Sequence, residues 1–299
     1  MLLDAKLPAR FILRQILPDV AVLLLISLVF QVLKVFVGQY LPPIPLTLPA
    51  ILGSAISLLL AFTLSQSYDR WWEARKVWGA IVNDSRSLVL QVRSFVNKEH
   101  AAPGALRALA YRQMAWCYGL GEALRDQDPQ ATLARYLPAH ELAYAGRHAN
   151  KSLALLALHT EQIQGWYEHG ALNPFQQVQL DATLVRLCDA MGRAERIKST
   201  VFPTNYRRLV HFLIYLFLGT LSLSLVEING LVELPILLMF AVTFFLVERT
   251  ARYMQDPFSN LPTDTPVTAI ARTIEINLRQ LLGEETVPAP LPAEAFYLM

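Results

Sequence analysis

The chain has 299 residues, 54% of them hydrophobic and only 17% charged. That charge content is low for a soluble domain of this size, and a net charge of +2 gives no reason to expect a nucleic-acid partner. The two cysteines, Cys117 and Cys188, lie far apart and form neither a disulfide framework nor a zinc-ligand spacing.

Residues 1–19 are basic and amphipathic. Lys6, Arg10 and Arg14 precede the first apolar run, and no small-residue cleavage pattern follows. A retained membrane span is therefore expected, with Phe11, Ile12 and Ile16 at the membrane surface. The span covers Val20 to Val37, interrupted by Gln31 and Lys34. Lys34 is near the far end and is expected to snorkel outward. Leu41-Pro42-Pro43-Ile44-Pro45 makes a tight, uncharged outer turn.

Leu46 to Leu64 carries no charge and is long enough to cross the bilayer with little tilt. The polar junction Ser65-Gln66-Ser67-Tyr68-Asp69-Arg70 follows at once. Beyond it, Trp71, Ala74, Val77, Trp78, Ile81, Ser85 and Leu88 recur at helical spacing, with Glu73, Arg75 and Lys76 off that stripe. One rod is expected to carry the chain from bilayer to cytosol. Two rows mark its membrane half. Gly53, Ser57 and Ala61 are small residues four apart, which lets a neighbouring helix approach closely. Ser54, Leu58 and Phe62 form the adjacent row and are free to face a central axis; an ordinary membrane helix would turn that row to lipid.

The stretch SYDRWWEARKVWGAIVNDSRSL resembles the signature of the bestrophin family, in particular its bacterial members. In that family five copies of this helix surround a pore narrowed by a hydrophobic neck. The resemblance places the neck on Ser54, Leu58 and Phe62. Leu58 and Phe62 fit the family's large apolar residues, whereas Ser54 makes the outer ring more polar. Gly53, Ser57, Ala61, Asp69, Arg70, Trp71 and Trp72 fall to helix packing and the junction. Asn83-Asp84 with Arg86, like Asp69 beside Arg70, could bind ions but are expected to satisfy buried polar groups and pair between helices or subunits. Trp71, Trp72 and Trp78 suit an interfacial belt and helix packing.

No stretch from Tyr68 to Arg208 is apolar enough to span. Breaks at Pro103-Gly104, Asp128-Pro129, Pro138 and Asn173-Pro174 divide this helical region. Gln176 to Lys198 is expected to be helical, with Leu180, Leu184, Leu187, Cys188 and Met191 on one face. The segment CDAMGRAERIKSTVFP looks like the family's return to the membrane, through Thr200 and Pro203. Bestrophins narrow again at the cytosolic end of the pore just after a proline, which makes Phe175 the candidate for a second constriction.

Leu209–Val226 is the third expected span and Leu234–Val247 the fourth, joined by an acidic outer turn from Glu227 to Glu233. Arg207 and Arg208 precede the third, and Arg249 and Arg252 follow the fourth. Basic residues on one side only place both termini in the cytosol. The tail, DPFSNLPTDTPVTAIARTIEINLRQLLGE, again looks like the bacterial bestrophin C-terminal segment. In animal bestrophins an acidic run after the equivalent of Asp256-Pro257-Phe258 helps to bind calcium. Here that run is Ser-Asn-Leu-Pro-Thr-Asp, with Asp264 its one acid, so calcium gating of that kind is not expected.

No phosphate-binding loop, nucleophile elbow or paired-histidine zinc motif is present in the sequence. The six histidines are scattered without carboxylates at ligand spacing and are expected at surfaces or interfaces. No catalytic residue, metal or cofactor is assigned. The expected protein is all-α: 1–67 with two membrane helices, a cytosolic helical region 68–208, two more membrane helices in 209–250 and a cytosolic segment 251–299. The resemblance implies a homo-pentameric channel for small inorganic ions in a bacterial inner membrane, in contact with lipid and with no nucleic acid. Anion conduction follows the family, with cation selectivity as the alternative. A secondary transporter would carry ionisable groups near the midplane or repeated halves, and the sequence offers neither; a membrane-anchored scaffold is the third reading.

Overall fold

A computed structural model describes residues 9–37, 44–97, 99–200, 204–226, 230–293 and 297. These residues form ten α-helices and no paired sheet: α1 (Ala9–Val37), α2 (Thr47–Phe95), α3 (Ala105–Leu124), α4 (Gln130–Leu133), α5 (Ala139–Gly146), α6 (Lys151–Glu168), α7 (Pro174–Ser199), α8 (Thr204–Ser224), α9 (Gly230–Gln255) and α10 (Val267–Leu281). The expectations for Lys6, the side chains of Phe11, Ile12 and Ile16, the Pro42-Pro43 turn, Pro203 and Glu227 fall outside the described residues. The chain divides into two compact units, with boundaries at Arg70/Trp71, Thr200/Val201 and Gln255/Asp256.

The first unit holds α1, the first half of α2, α8 and α9. Its core joins Ile56 and Leu60 of α2 to Ile214, Phe217 and Leu218 of α8 and Leu237, Ala241 and Phe245 of α9. Phe217 and Phe244 meet edge to face with centroids 5.4 Å apart, the arrangement that brings a positive ring edge to a negative ring face. Among the described residues, α2 and α9 are long and apolar enough to cross a membrane by length and composition. Leu25, Leu28 and Phe36 on α1, Phe212 on α8 and Met239 on α9 are exposed.

α1 itself runs unbroken from Ala9 through Pro18 to Val37. This unit corrects two expectations. Glu233 belongs to the first turn of α9, not to a turn before it, and is 1% exposed. Lys34 does not snorkel. Its ammonium lies 2.6 Å from Glu233 Oε1, and its side chain is nearly buried. Gln31 donates to Glu233 Oε2 at 2.5 Å and Ser222 donates to Oε1 at 2.6 Å. A carboxylate inside an apolar bundle must be paired. Three donors from α1 and α8 meet that need and tie both helices to α9.

The second unit holds the rest of α2, helices α3 to α7 and α10. Ala74, Val77, Trp78, Ile81, Ser85 and Leu88 are all buried, so the helical stripe in the sequence is the packed face of α2. α3 is the central helix, buried from Leu109 to Gly121 apart from Tyr111. Gly121 has no side chain, and a Cβ there would lie 3.3 Å from Val267 Cγ2 of α10. α10 buries Val267, Ala271, Ile274 and Leu278 against the core. Tyr118 donates to the buried Glu275 at 2.8 Å. Arg112 of α3 is clamped by Glu141 of α5, and its Nη1 donates to Gln162 of α6 at 2.7 Å. Asp84 pairs with Arg186 of α7 at 2.8 Å on an exposed face, and Arg86 donates to Asn277 of α10, so both bond between helices as expected. His159 departs from the surface role expected for it. It is fully buried, and neither ring nitrogen has a hydrogen-bond partner.

Two outcomes follow from these buried groups. Lys34→Met or Glu233→Gln alone strands a partner in the apolar bundle and should cost about 3 kcal/mol. A double-mutant cycle followed by thermal unfolding should show the double variant losing clearly less than the sum of the two. Burial, and then the nearby Arg112 charge, hold His159 well below the usual histidine range. The unfolded chain therefore takes a proton below about pH 6.5 that the folded chain refuses, and stability should fall by roughly 1.4 kcal/mol per pH unit below that point. Unfolding at pH 7.5 and 5.0 should show this slope reduced in His159→Phe.

Candidate functional site

The membrane half of α2 presents distinct faces. Ile56, Leu60, Thr63 and Ser67 are buried, at 1%, 2%, 7% and 1% exposure. At 100° per residue, Ser54, Leu58 and Phe62 stand roughly 170° around the helix from that face. Leu58 and Phe62 are 59% and 58% exposed. The helix thus turns two large apolar side chains away from its own core. Nothing on this face is charged, and Ser54 spends its hydroxyl proton on Ala50 O at 2.9 Å, leaving its oxygen as an acceptor.

The small-residue row lies between these faces. Ser57 and Ala61 are exposed, and Ser57 donates to Gly53 O at 2.8 Å. Gly53 has a neighbour within its own chain. A Cβ there would stand 3.1 Å from Phe217 Cε2 of α8. An open groove of about 760 Å³ runs beside this row, walled by Leu46, Pro49, Phe217, Phe240 and Phe244.

At the junction Asp69 and Trp72 are exposed and Arg70 is half-buried. Trp71 and Trp72 stack at 6.3 Å. Trp71 donates its indole N–H to Thr263 O at 3.0 Å, which is interior packing and not a base-stacking surface. In the second unit Phe175 occupies the first turn of α7 and is 86% exposed. Its backbone is fixed by a capping box: Asn173 accepts from Gln176 N at 2.9 Å, Gln176 accepts from Asn173 N at 2.9 Å, and Pro174 opens the helix. Such caps leave little freedom in the first turn.

The acidic positions after α9 are committed to the backbone. Asp256 accepts from Phe258 N at 3.1 Å, and Asp264 accepts from Leu261 N at 3.1 Å. Among the described residues no three His, Cys, Asp or Glu side chains are grouped to hold a metal. One further cluster escaped the sequence reading. His211 has carboxylate company after all: Glu248 lies 3.4 Å from its Nε2 and also binds Arg252 at 2.6 Å. The spacing of Glu248 and Arg252, four residues apart, carried half of that signal; the α8 partner did not show.

The model of the bacterial and fungal bestrophin proteins matches residues 8–280 of the chain. The chain belongs to the bacterial and fungal bestrophin family. A voltage-dependent anion channel-forming protein of Ralstonia nicotianae is 30% identical over 289 residues, covering 96% of this chain and 94% of that protein. The voltage-dependent anion channel-forming protein YneE of Escherichia coli is 29% identical over 248 residues, covering 83% and 80%. A bacterial bestrophin homologue of Klebsiella pneumoniae, solved by crystallography, superposes with a TM-score of 0.83 at 28% identity, over 91% of this chain and 100% of that one. The bestrophin assignment makes this a membrane protein of a channel-forming family.

Gly53 can be tested directly. Gly53→Leu should clash with Phe217 and lower the thermal midpoint, and Phe217→Ala should recover part of the loss by opening space for the new side chain.

Proposed function

We propose that this bestrophin is one subunit of a homo-pentameric channel that passes small inorganic ions through a neck built from Ser54, Leu58 and Phe62. The reading rests on the exposed apolar face of α2: Leu58 and Phe62, on an otherwise uncharged helix, directed away from the core of their own chain. The flanks of that face support a ring. Ser57 and Ala61 lie on one side and Leu48 and Ala55 on the other, all exposed. Small residues on one flank let a neighbouring helix approach closely. In a ring of identical helices each such flank meets the opposite flank of the next copy.

Leu58 and Phe62 are one turn apart, so their rings would be about 6 Å apart along the axis. Stacked apolar rings disfavour a continuous water column, and an ion does not shed its hydration shell there. The neck gates by dewetting and does not choose the sign of the ion. Anion conduction follows the names of the relatives; the cation-selective alternative is read from the reversal potential under a salt gradient. Phe175 is assigned to a second constriction in the cytosolic unit, with Asp69, Arg70, Trp71 and Trp72 supporting the junction. Four membrane helices follow from α1, α2, α8 and α9, with both termini on the cytosolic side of the bacterial inner membrane. Arg207, Arg208, Arg249 and Arg252 support that orientation.

The Lys34–Glu233 pair gives the transporter reading an ionisable group inside the bundle. Its three partners already satisfy it, which favours a structural role. Planar-bilayer recording of the purified protein separates the readings: unitary steps are expected, and saturable coupled flux without steps would replace the channel by a carrier. In the same recordings Leu58→Ala and Phe62→Ala should each raise open probability without reversing selectivity. Stable variants with unchanged gating would remove the neck assignment.

A further inference from the structure

Five residues of α3 and of the loop between α9 and α10 hold six buried polar atoms without a hydrogen-bond partner: Glu122 Oε2, Arg125 Nε and Nη2, Thr263 Oγ1, Asp264 Oδ1 and Thr265 Oγ1. Native structures satisfy nearly all such atoms, so a concentration of them asks for a ligand. Asp264 and Thr265 are both 0% exposed. The loop is held by its own backbone bonds and by Trp71 of α2, which donates to Thr263 O. Asp264 N donates to Leu261 O at 3.0 Å and Thr265 N to Pro257 O at 3.2 Å. Asp264 Oδ2 accepts from Leu261 N. Its other oxygen has nothing.

The charged surroundings narrow the ligand. α3 brings Arg125 and Glu122; the start of the loop brings Asp256, and α7 brings Lys198, paired to Asp256 at 3.5 Å and Asp126 at 3.0 Å. α10 contributes the neutral Thr268, which takes Arg125 Nη1 at 2.6 Å. A metal ion would meet the Arg125 guanidinium, and an anion would meet the carboxylates of Asp264 and Glu122. A proton meets neither objection, because it neutralises the fully buried Asp264 carboxylate, whose Oδ1 has no hydrogen-bond partner.

We propose that Asp264 is a proton-binding latch, in which protonation of its unpartnered carboxylate oxygen tightens the loop between α9 and α10 and deprotonation loosens it. The step adds one proton to the carboxylate and forms one O–H bond, with no other bond changed. Burial, assisted by the Asp256 charge, pushes the Asp264 carboxyl up to about 6, against the backbone N–H groups of Leu261 and Asn260 and the Arg125 charge. A carboxyl raised in the closed loop favours closure when protonated. That stabilisation is present in acid and is lost as pH rises through about 6. The latch does not depend on the channel reading.

Hydrogen exchange of the 256–266 segment in the full-length protein tests it, with protection referred to the intrinsic exchange rate at each pH. Protection should stay level above about 6, rise as pH falls below it and level off near the free-carboxyl value of 3.8, with its midpoint between the two. Asp264→Asn, neutral throughout, should show high protection at both ends and no midpoint. Arg125→Gln, which removes the charge favouring the carboxylate, should move the midpoint upward. Protection that does not change with pH in the unaltered protein, or a midpoint that survives Asp264→Asn, would overturn the latch. If Asp264→Asn does not fold, the Arg125→Gln midpoint decides alone: upward movement supports the latch and an unmoved midpoint overturns it.

Discussion

The hydrogen-bond ladder of α2 is the constraint on which the rest depends. It runs without a break through 49 residues, Thr47 to Phe95. An α-helix satisfies its own backbone whether lipid or water surrounds it. The side chains are therefore free to change character at the junction near Arg70 while the backbone continues. Each compact unit takes one half of this helix and packs a different stripe of it: Ile56, Leu60, Thr63 and Ser67 in one, Ala74, Trp78, Ile81 and Leu88 in the other. A sheet or a broken helix at that point would leave unpaired amides where the environment changes.

The unit of α1, α8 and α9 uses polar groups differently from the unit of α3 to α7 and α10. Hydroxyls such as Ser54, Ser57, Thr220 and Thr243 bond back to their own helices, while Ser222 reaches Glu233 of α9. The buried charges of this unit are gathered into compact clusters, Lys34 with Glu233 and Arg252 with Glu248. Both habits follow from a solvent that offers no hydrogen bonds. The other unit also spreads polar bonds across helices, through Arg112–Glu141, Tyr118–Glu275 and Arg86–Asn277. These fix the packing of α3, α5, α6 and α10 in a way that apolar contacts alone do not, because a displaced partner leaves a buried charge or amide unpaired.

The exposed apolar residues have a common meaning. Leu25, Leu28 and Phe36 on α1, Leu58 and Phe62 on α2 and Phe175 on α7 are too numerous and too large for scattered surface residues. These stretches of sequence differ in the surroundings they suit. Phe175 sits behind a rigid cap next to polar Asn173 and Gln176, whereas the α1 residues form part of a continuous apolar run.

The sequence by itself determined what depends on periodicity, length and charge sign. The continuous α2, its buried stripe, the break at Asn173-Pro174 and the family signature around RWWEARK were all legible, because each is local to one helix or one turn. The row of Ser54, Leu58 and Phe62 was legible as a row, since four-residue spacing defines a face. That this face points away from the chain's own core was decided only by the packing of α8 and α9. The same holds for the charges. Lys34 and Glu233 are separated by 199 positions, and a lone lysine near a helix end is expected at the interface until its partner appears. His159 looked like a surface residue because nothing nearby in sequence shows that α6 turns it inward. Asp264 was legible only as the one acid left in the run that binds calcium in animal bestrophins, and only the fold brought Arg125, the C-cap of α3, near it. Local chemistry fixes the helices and their faces, whereas which faces meet, and which charges thereby lose water, is set by contacts between residues far apart in the chain.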